Sequence, residues 1–299
     1  MNPRIYWQIV IVSLLFFTAV LGGAACSKTV DDSDTPLLLG LDHIPLAVAD
    51  LDEAVERYRN LGFALKPGRT HENGIQNQHV KFPDGTEIEL ISTSEERDTL
   101  TAEYLKYLAS GDGPAFVGFY APNLDRLASR LDAGGKPYRI GDGLLSFPES
   151  DQLRYIFFGQ RAQSTTDQPA HFGHLNGAEA LIGVWIAGDD LTTELKLLTS
   201  LGAEFSEQEV YVPERLMATV AKLQQAEMVF LPGSWQLVPD RRIVGATIRT
   251  SDLDALRGVL TTASLDVPPV VLTNNGHSMF ISPDIAHGIC LEFRQDVDN

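Results

Sequence analysis

The stretch from Leu41 to Ser92, LDHIPLAVADLDEAVERYRNLGFALKPGRTHENGIQNQHVKFPDGTEIELIS, decides the fold. Successive side chains of a strand point to opposite faces. In His43 to Val48 the residues Ile44, Leu46 and Val48 therefore share one face, and His43 takes the other. In Gln78 to Phe82 the pair Val80 and Phe82 claims the apolar face, and in Thr86 to Leu90 the pair Ile88 and Leu90 does the same. Asn77, His79, Glu87 and Glu89 are left on the face of His43. Between the strands, Asp50 as N-cap with Glu53 three residues on, and apolar Leu51, Ala54, Val55, Tyr58 and Leu61 at helical spacing, predict a helix that Gly62 ends. The unit has one helix-covered face and one face bearing imidazole and carboxylate. Those groups are the usual nitrogen and oxygen ligands of divalent ions, so the face reads as half of a metal or acid/base site.

The pattern repeats. Ala115 to Ala121, then Asn123 to Leu131 and Gly134, is again a strand, a capped helix and a stop, with Phe116 aligned on His43. Leu181 to Ala187 followed by Asp190 to Leu201 puts Gly183 at that position and Trp185 on the same face. Val244 to Thr250 followed by Asp252 to Leu260 puts Gly245 there and Arg249 on that face. Among the returning strands, Gly288 to Phe293 aligns Glu292 on Glu89, Tyr155 to Phe158 carries no carboxylate, and Glu227 is two residues out of register with Glu89. Four such units predict an α+β chain of tandem βαβββ modules, two to a half, forming curved sheets around a cavity with helices outside. Modules 1 and 2 occupy residues 37–160, a polar linker 161–172, and modules 3 and 4 residues 173–296.

The strand-helix-three-strand unit with Asp-His-Ile at its start and Glu-Leu-Ile at its end resembles a module of the vicinal oxygen chelate superfamily. Gly68-Arg-Thr-His71 and Gly74-Ile-Gln-Asn77 resemble the glyoxalase-like domain family, whose members carry Gly-x-His followed by Gly-Thr-x-Asn; Ile75 stands where the family commonly has Thr. His174-Leu-Asn-Gly-Ala178 resembles the His-x-Asn-Gly-Ala run that opens the second half of such proteins. The resemblance implies a divalent ion (Zn, Ni, Mn or Fe(II)) on His43 and Glu89, with Glu292 third by repeat position, and His71, Asn77 and His174 as substrate contacts. His79 shares the inward face and could replace His43. Glu87 or Glu292 would move a proton, and Phe116, Tyr120 and Trp185 are expected cavity walls. Lyase, isomerase and ring-cleaving dioxygenase chemistry all occur in the superfamily. The alternative is a metal-free module that holds an apolar ligand with Trp185, Phe116 and Tyr120. Ligand count discriminates the two, because a catalytic ion typically has three protein ligands.

Composition bounds the partners. A chain of 299 residues, 44% hydrophobic, can bury one large core or two ordinary ones. With 40 acidic against 23 basic residues and a formal charge of -17, its electrostatics argue against nucleic acid and anionic membrane surfaces as partners. A small-molecule partner is the expectation. No phosphate-binding glycine loop, nucleophile elbow or His-Glu-x-x-His helix is present.

Residues 1–26 read differently: Arg4 is their one charge, an apolar core runs from Ile9 to Leu21, and Gly22 to Ala25 precede Cys26. This is a signal-peptide layout whose end resembles a bacterial lipobox, with Gly23 where that pattern prefers a larger aliphatic residue. Lipidation of Cys26 is expected, with 27–36 as a tether and the domain in the bacterial cell envelope, outside the cytoplasm. An uncleaved transmembrane anchor is the rival reading. Cys290, in an apolar strand, reads as core.

Overall fold

The computed structural model describes residues 35–161 and 164–296. The leader, Cys26 and nearly all of the tether lie outside the described residues. No helix among the described residues is long and apolar enough to cross a membrane.

Module 1 runs through β1 (Gly40–Leu41), β2 (His43–Ala47), α1 (Leu51–Asn60), β3 (Lys66–Thr70), β4 (Gln76–Lys81) and β5 (Glu87–Ser92). The Asp50 side chain accepts the Glu53 N–H at the start of α1, which buries Ala54, Val55 and Tyr58. An additional helix, α2 (Thr99–Leu108), is closed by a capping box between Asp98 and Thr101. Module 2 follows as β6 (Gly113–Pro114), β7 (Val117–Tyr120), α3 (Leu124–Ala133), β8 (Arg139–Gly141), β9 (Leu144–Ser146) and β10 (Ile156–Gly159). Module 3 is β11 (Ala178–Ala187), α4 (Thr192–Ser200), β12 (Glu204–Val212), β13 (Glu214–Lys222) and β14 (Glu227–Leu231). Module 4 is β15 (Ile243–Thr250), α5 (Leu253–Thr262), β16 (Val271–Thr273), β17 (Gly276–Ile281) and β18 (Cys290–Gln295).

Modules pair 1 with 2 and 3 with 4. In the second half the strand order is β12-β13-β14-β11-β15-β18-β17-β16, with the opening strands β11 and β15 antiparallel at the centre. The first half repeats this order in two pieces, β3-β4-β5-β2-β6 and β1-β7-β10-β9-β8. β1 leads directly into β2 and β6 into β7, and Asp42 N–H to Gly118 O (2.8 Å) and Ala115 N–H to Pro45 O (2.9 Å) carry the pairing across the breaks. The second sheet curls until its edges meet: the Asn274 amide donates to Glu209 O at 2.9 Å. That curl encloses an apolar cluster of its own, including Trp185, Val220, Val229 and Phe280.

The convex, helix-covered faces of both halves contribute to one core. Ile44, Leu46, Val80 and Ile88 belong to the same buried cluster as Leu181, Ile248, Leu291 and Phe293. Phe63 packs tilted against Phe293 with ring centroids 5.7 Å apart, and the Tyr58 hydroxyl donates to Ala286 O. Residues from Pro36 onward accordingly form one compact unit. Cys290 is buried, and desolvation pushes its thiol up to about 12.

Candidate functional site

The site is built on the concave face of the first sheet. β2 runs parallel to β5, with His43 opposite Glu87 and Pro45 opposite Glu89. β4 runs antiparallel to β5, with His79 opposite Glu89 and Lys81 opposite Glu87. Alternation leaves these groups on one surface, and Ile44, Leu46, Val80, Ile88 and Leu90 on the other, all fully buried.

His43 Nε2 lies 3.6 Å from Glu89 Oε2, and its Nδ1 lies 3.2 Å from Asp42 Oδ2. Strict alternation would turn Asp42 toward the helices. The strand is interrupted between Leu41 and His43, and Asp42 thereby reaches the imidazole. Burial disfavours the imidazolium, but the Asp42 hydrogen bond and the charges of Asp42, Glu89 and Glu87 outweigh it and push His43 up to about 9. The edge of Phe157 packs on the imidazole at 4.8 Å. Gly118 makes room for that ring, since a Cβ there would sit 2.5 Å from it.

Glu89 is held from behind. Asn77, 6% exposed, donates to Glu89 Oε1 at 2.6 Å and accepts the Arg69 N–H at 2.9 Å. Asn77 therefore orients the carboxylate. Tyr104 of α2 is buried, and burial together with the charge of Glu89 holds its hydroxyl well above the usual phenol range. Glu87 Oε1 is bonded to His79 Nδ1, and its other oxygen is 3.9 Å from Lys81 Nζ. Side-chain exposures of 21% for His43, 16% for Glu89, 17% for Glu87 and 19% for His79 leave the face open to a small molecule.

Glu292 is placed elsewhere. β15 and β18 repeat the pairing of β2 and β5, with Gly245 opposite Cys290 and Thr247 opposite Glu292, so Gly245 stands where His43 does and Glu292 where Glu89 does. The Trp185 ring fills the vacated space: a Cβ on Gly245 would lie 2.1 Å from it. Glu292 accepts hydroxyl protons from Ser278 (2.6 Å) and Thr247 (2.7 Å), and Thr247 Oγ1 in turn accepts the Trp185 indole N–H. Burial raises the Glu292 pKa. The structure does not bring this carboxyl to His43 and Glu89. Among the described residues no group of three or more His, Cys, Asp and Glu side chains is placed to hold a metal ion.

The other expected contacts have local partners. His174 Nδ1 accepts the Ala64 N–H and its Nε2 donates to Lys81 O, with Phe63 and Phe82 against the ring; burial lowers its pKa. Both ring nitrogens are thus committed to backbone. His71 closes the β3–β4 turn through its backbone, donating to Ile75 O and accepting from Gly74 N–H. Phe116 is buried between Tyr104 and Tyr107 beneath Arg154. Tyr120 lies under the Arg161 guanidinium at 5.0 Å. Trp185, 1% exposed, is packing inside the second sheet.

A cleft of about 390 Å³ lies apart from this face, lined by Lys106, Tyr107, Arg154, Arg241 and Arg242 among others. Its three arginines are already engaged: Arg154 by Glu103, Arg242 by Glu194, and Arg241 by the carbonyls of Tyr107, Gly111 and Asp112.

Comparison with known proteins agrees with this architecture. No curated protein matches the chain in sequence. Among solved structures, catechol 2,3-dioxygenase is similar at a TM-score of 0.60 and 15% identity, over 86% of this chain and 88% of that one. A variant of 4-hydroxymandelate synthase from Streptomyces coelicolor is similar at 0.60 and 10% identity, over 89% and 94%. A hypothetical protein from Staphylococcus aureus is similar at 0.58 and 12% identity, over 86% and 100%. At these identities the likeness shows a shared fold. The sequence model of the glyoxalase-like domain matches residues 41–202, which hold His43, Asn77, Glu87, Glu89 and His174. That match spans more than half of the chain and nearly all of modules 1 and 2, so this protein belongs to the glyoxalase-like domain family and has the fold of the vicinal oxygen chelate superfamily.

Proposed function

We propose that the first half binds a small oxygenated molecule on its concave face and acts on it with a divalent ion held by His43 and Glu89. The observation that carries this reading is the outer support of both ligands. Asp42 on Nδ1 leaves Nε2 of His43 facing Glu89, and Asn77 fixes the second oxygen of Glu89. Metal-binding imidazoles and carboxylates need such partners. Two protein donors are one fewer than a catalytic ion typically has, so an ion (Zn, Ni, Mn or Fe(II)) held here would take its remaining positions from ligand oxygens or water. When bound, that ion supplies Lewis acidity toward the vicinal oxygens of the ligand. Glu87 is the residue placed to accept a proton from the ligand, and its bond to His79 gives the proton a second site. Phe157 packs its edge on the His43 ring and so supports the imidazole. Lyase, isomerase and dioxygenase chemistry are all compatible with these parts. We further propose that a lipid on Cys26 anchors the protein in the bacterial envelope.

The two-donor count favours a second reading, a metal-free binding module of the same fold. Thermal denaturation separates them. His43→Ala and Glu89→Gln should melt near the wild type in chelator and lose the rise in Tm that added ion gives, because an ion that binds only the folded state stabilises it by mass action. A wild type that gains no stability from any of the four ions gives the metal-free reading its place.

A further inference from the structure

Two lysines stand on the same concave face. Lys66 of β3 is opposite His79, and Lys81 of β4 is opposite Glu87. Their side chains are 8% and 7% exposed. Burying two ammonium groups side by side is costly unless anions neutralise them. The sheet supplies Glu87, at 3.9 Å from Lys81. The closer partner is Asp167, whose Oδ1 meets Lys66 Nζ at 2.5 Å and whose Oδ2 meets Lys81 Nζ at 2.9 Å.

Asp167 does not belong to the sheet. It sits in the stretch between the two halves, where Ser164, Thr165, Thr166, Gln168, Pro169 and Ala170 are all exposed. Its backbone N–H donates to Ser164 O, and its carboxylate accepts the Ser164 N–H, so the turn is closed on itself. An exposed turn thus presents one carboxylate across two buried ammonium groups, on the sheet face that also carries His43 and Glu89. That is the pose an anionic ligand group would adopt.

We infer that Lys66 and Lys81 form a carboxylate seat for the ligand, and that Asp167 is an internal stand-in which the ligand displaces. This rests on the concave face being the binding site and narrows the ligand to a small oxygenated acid. A neutral molecule that displaced Asp167 would strip the buried Lys66 ammonium of its carboxylate partner and Lys81 of the nearer of its two carboxylates, Glu87 being the farther. The turn therefore acts as a selectivity filter. The tethered carboxylate competes with free ligand at the effective concentration that its short connection sets.

The test uses the full chain, stripped of metal, with succinate as probe and sodium chloride of equal ionic strength as control. Asp167→Asn should melt below the wild type in chloride and regain stability in succinate. Its Kd for succinate should be at least about tenfold lower than that of the wild type, since the seat is no longer occupied in most molecules. Lys66→Met/Lys81→Met/Asp167→Asn removes both ammonium groups together with Asp167 and leaves Glu87 to its partner His79, a change that cores tolerate, and should bind no succinate. A second measurement needs only the wild type: succinate should speed proteolytic cutting between residues 164 and 172 by releasing the turn. Equal affinity of Asp167→Asn and wild type, undiminished binding by the triple variant, or cutting that succinate leaves unchanged or slows would each overturn the inference and leave Asp167 as a permanent brace. Metal is absent throughout, so this outcome is independent of whether His43 and Glu89 hold an ion.

Discussion

Replacing Asn77 by alanine probes the scaffold behind Glu89. The side chain satisfies the backbone N–H of Arg69 and one oxygen of Glu89. Gly68 packs directly over it: a Cβ on Gly68 would lie 2.2 Å from Asn77 Oδ1. An unsatisfied buried donor costs about 1–3 kcal/mol, and a hydrogen bond to a charged group contributes about 1.5–3 kcal/mol. Glu89 is 16% exposed, so water recovers part of the second term. We expect Asn77→Ala to lose about 3 kcal/mol of unfolding free energy, measured by urea titration, and to weaken ion binding about tenfold or more by freeing the Glu89 carboxylate. Asn77→Asp keeps the acceptor for Arg69 but sets a second carboxylate against Glu89, so it should retain more of the stability at acid pH than at neutral pH. A loss below about 1 kcal/mol in Asn77→Ala would refute the assigned role.

Gly245→His would restore the repeat histidine only by expelling the Trp185 ring. It should cost about 3 kcal/mol by denaturant titration and create no ion site; wild-type stability would show that Trp185 yields easily. The Asp167 carboxyl, although partial burial opposes it, is held well below the usual carboxylate range by Lys66 and Lys81. A group depressed in this way adds stability above its unfolded pKa of about 3.9, which is lost as pH falls through the folded value. Between neutral pH and acid, Asp167→Asn should therefore lose less stability than the wild type, and parallel curves would contradict this. Labelling cells with a fatty-acid analogue should mark the wild type but not Cys26→Ser; equal labelling of both would rule out the lipid anchor.

The faces of module 1 were legible because strand alternation and the Asp50 cap are local properties that the surrounding fold preserves. The repeat was legible for the same reason, and the pairing of Gly245 with Cys290 bears out its alignment on His43. Long-range partners were not. Asp42 reaches His43 through a strand interruption that alternation cannot foresee. Asp167 meets Lys66 and Lys81 across separations of 101 and 86 residues. Trp185 sits on the expected face yet fills the space that Gly245 leaves, because the second sheet curls closed around it. Glu292 has the expected register, but Ser278 and Thr247 arrive from other strands to occupy its oxygens. The motif around His174 names a place where module 3 is latched to module 1, at Ala64 and Lys81.

Equilibrium dialysis of the chelator-stripped protein against Zn, Ni, Mn and Fe(II) decides whether His43 and Glu89 hold an ion, because it counts ions and locates them by variant. One ion per chain is expected in the wild type and in Glu292→Gln, and none in His43→Ala or Glu89→Gln. Binding that survives His43→Ala and disappears in Glu292→Gln, or no binding of any of the four ions by the wild type, would contradict it.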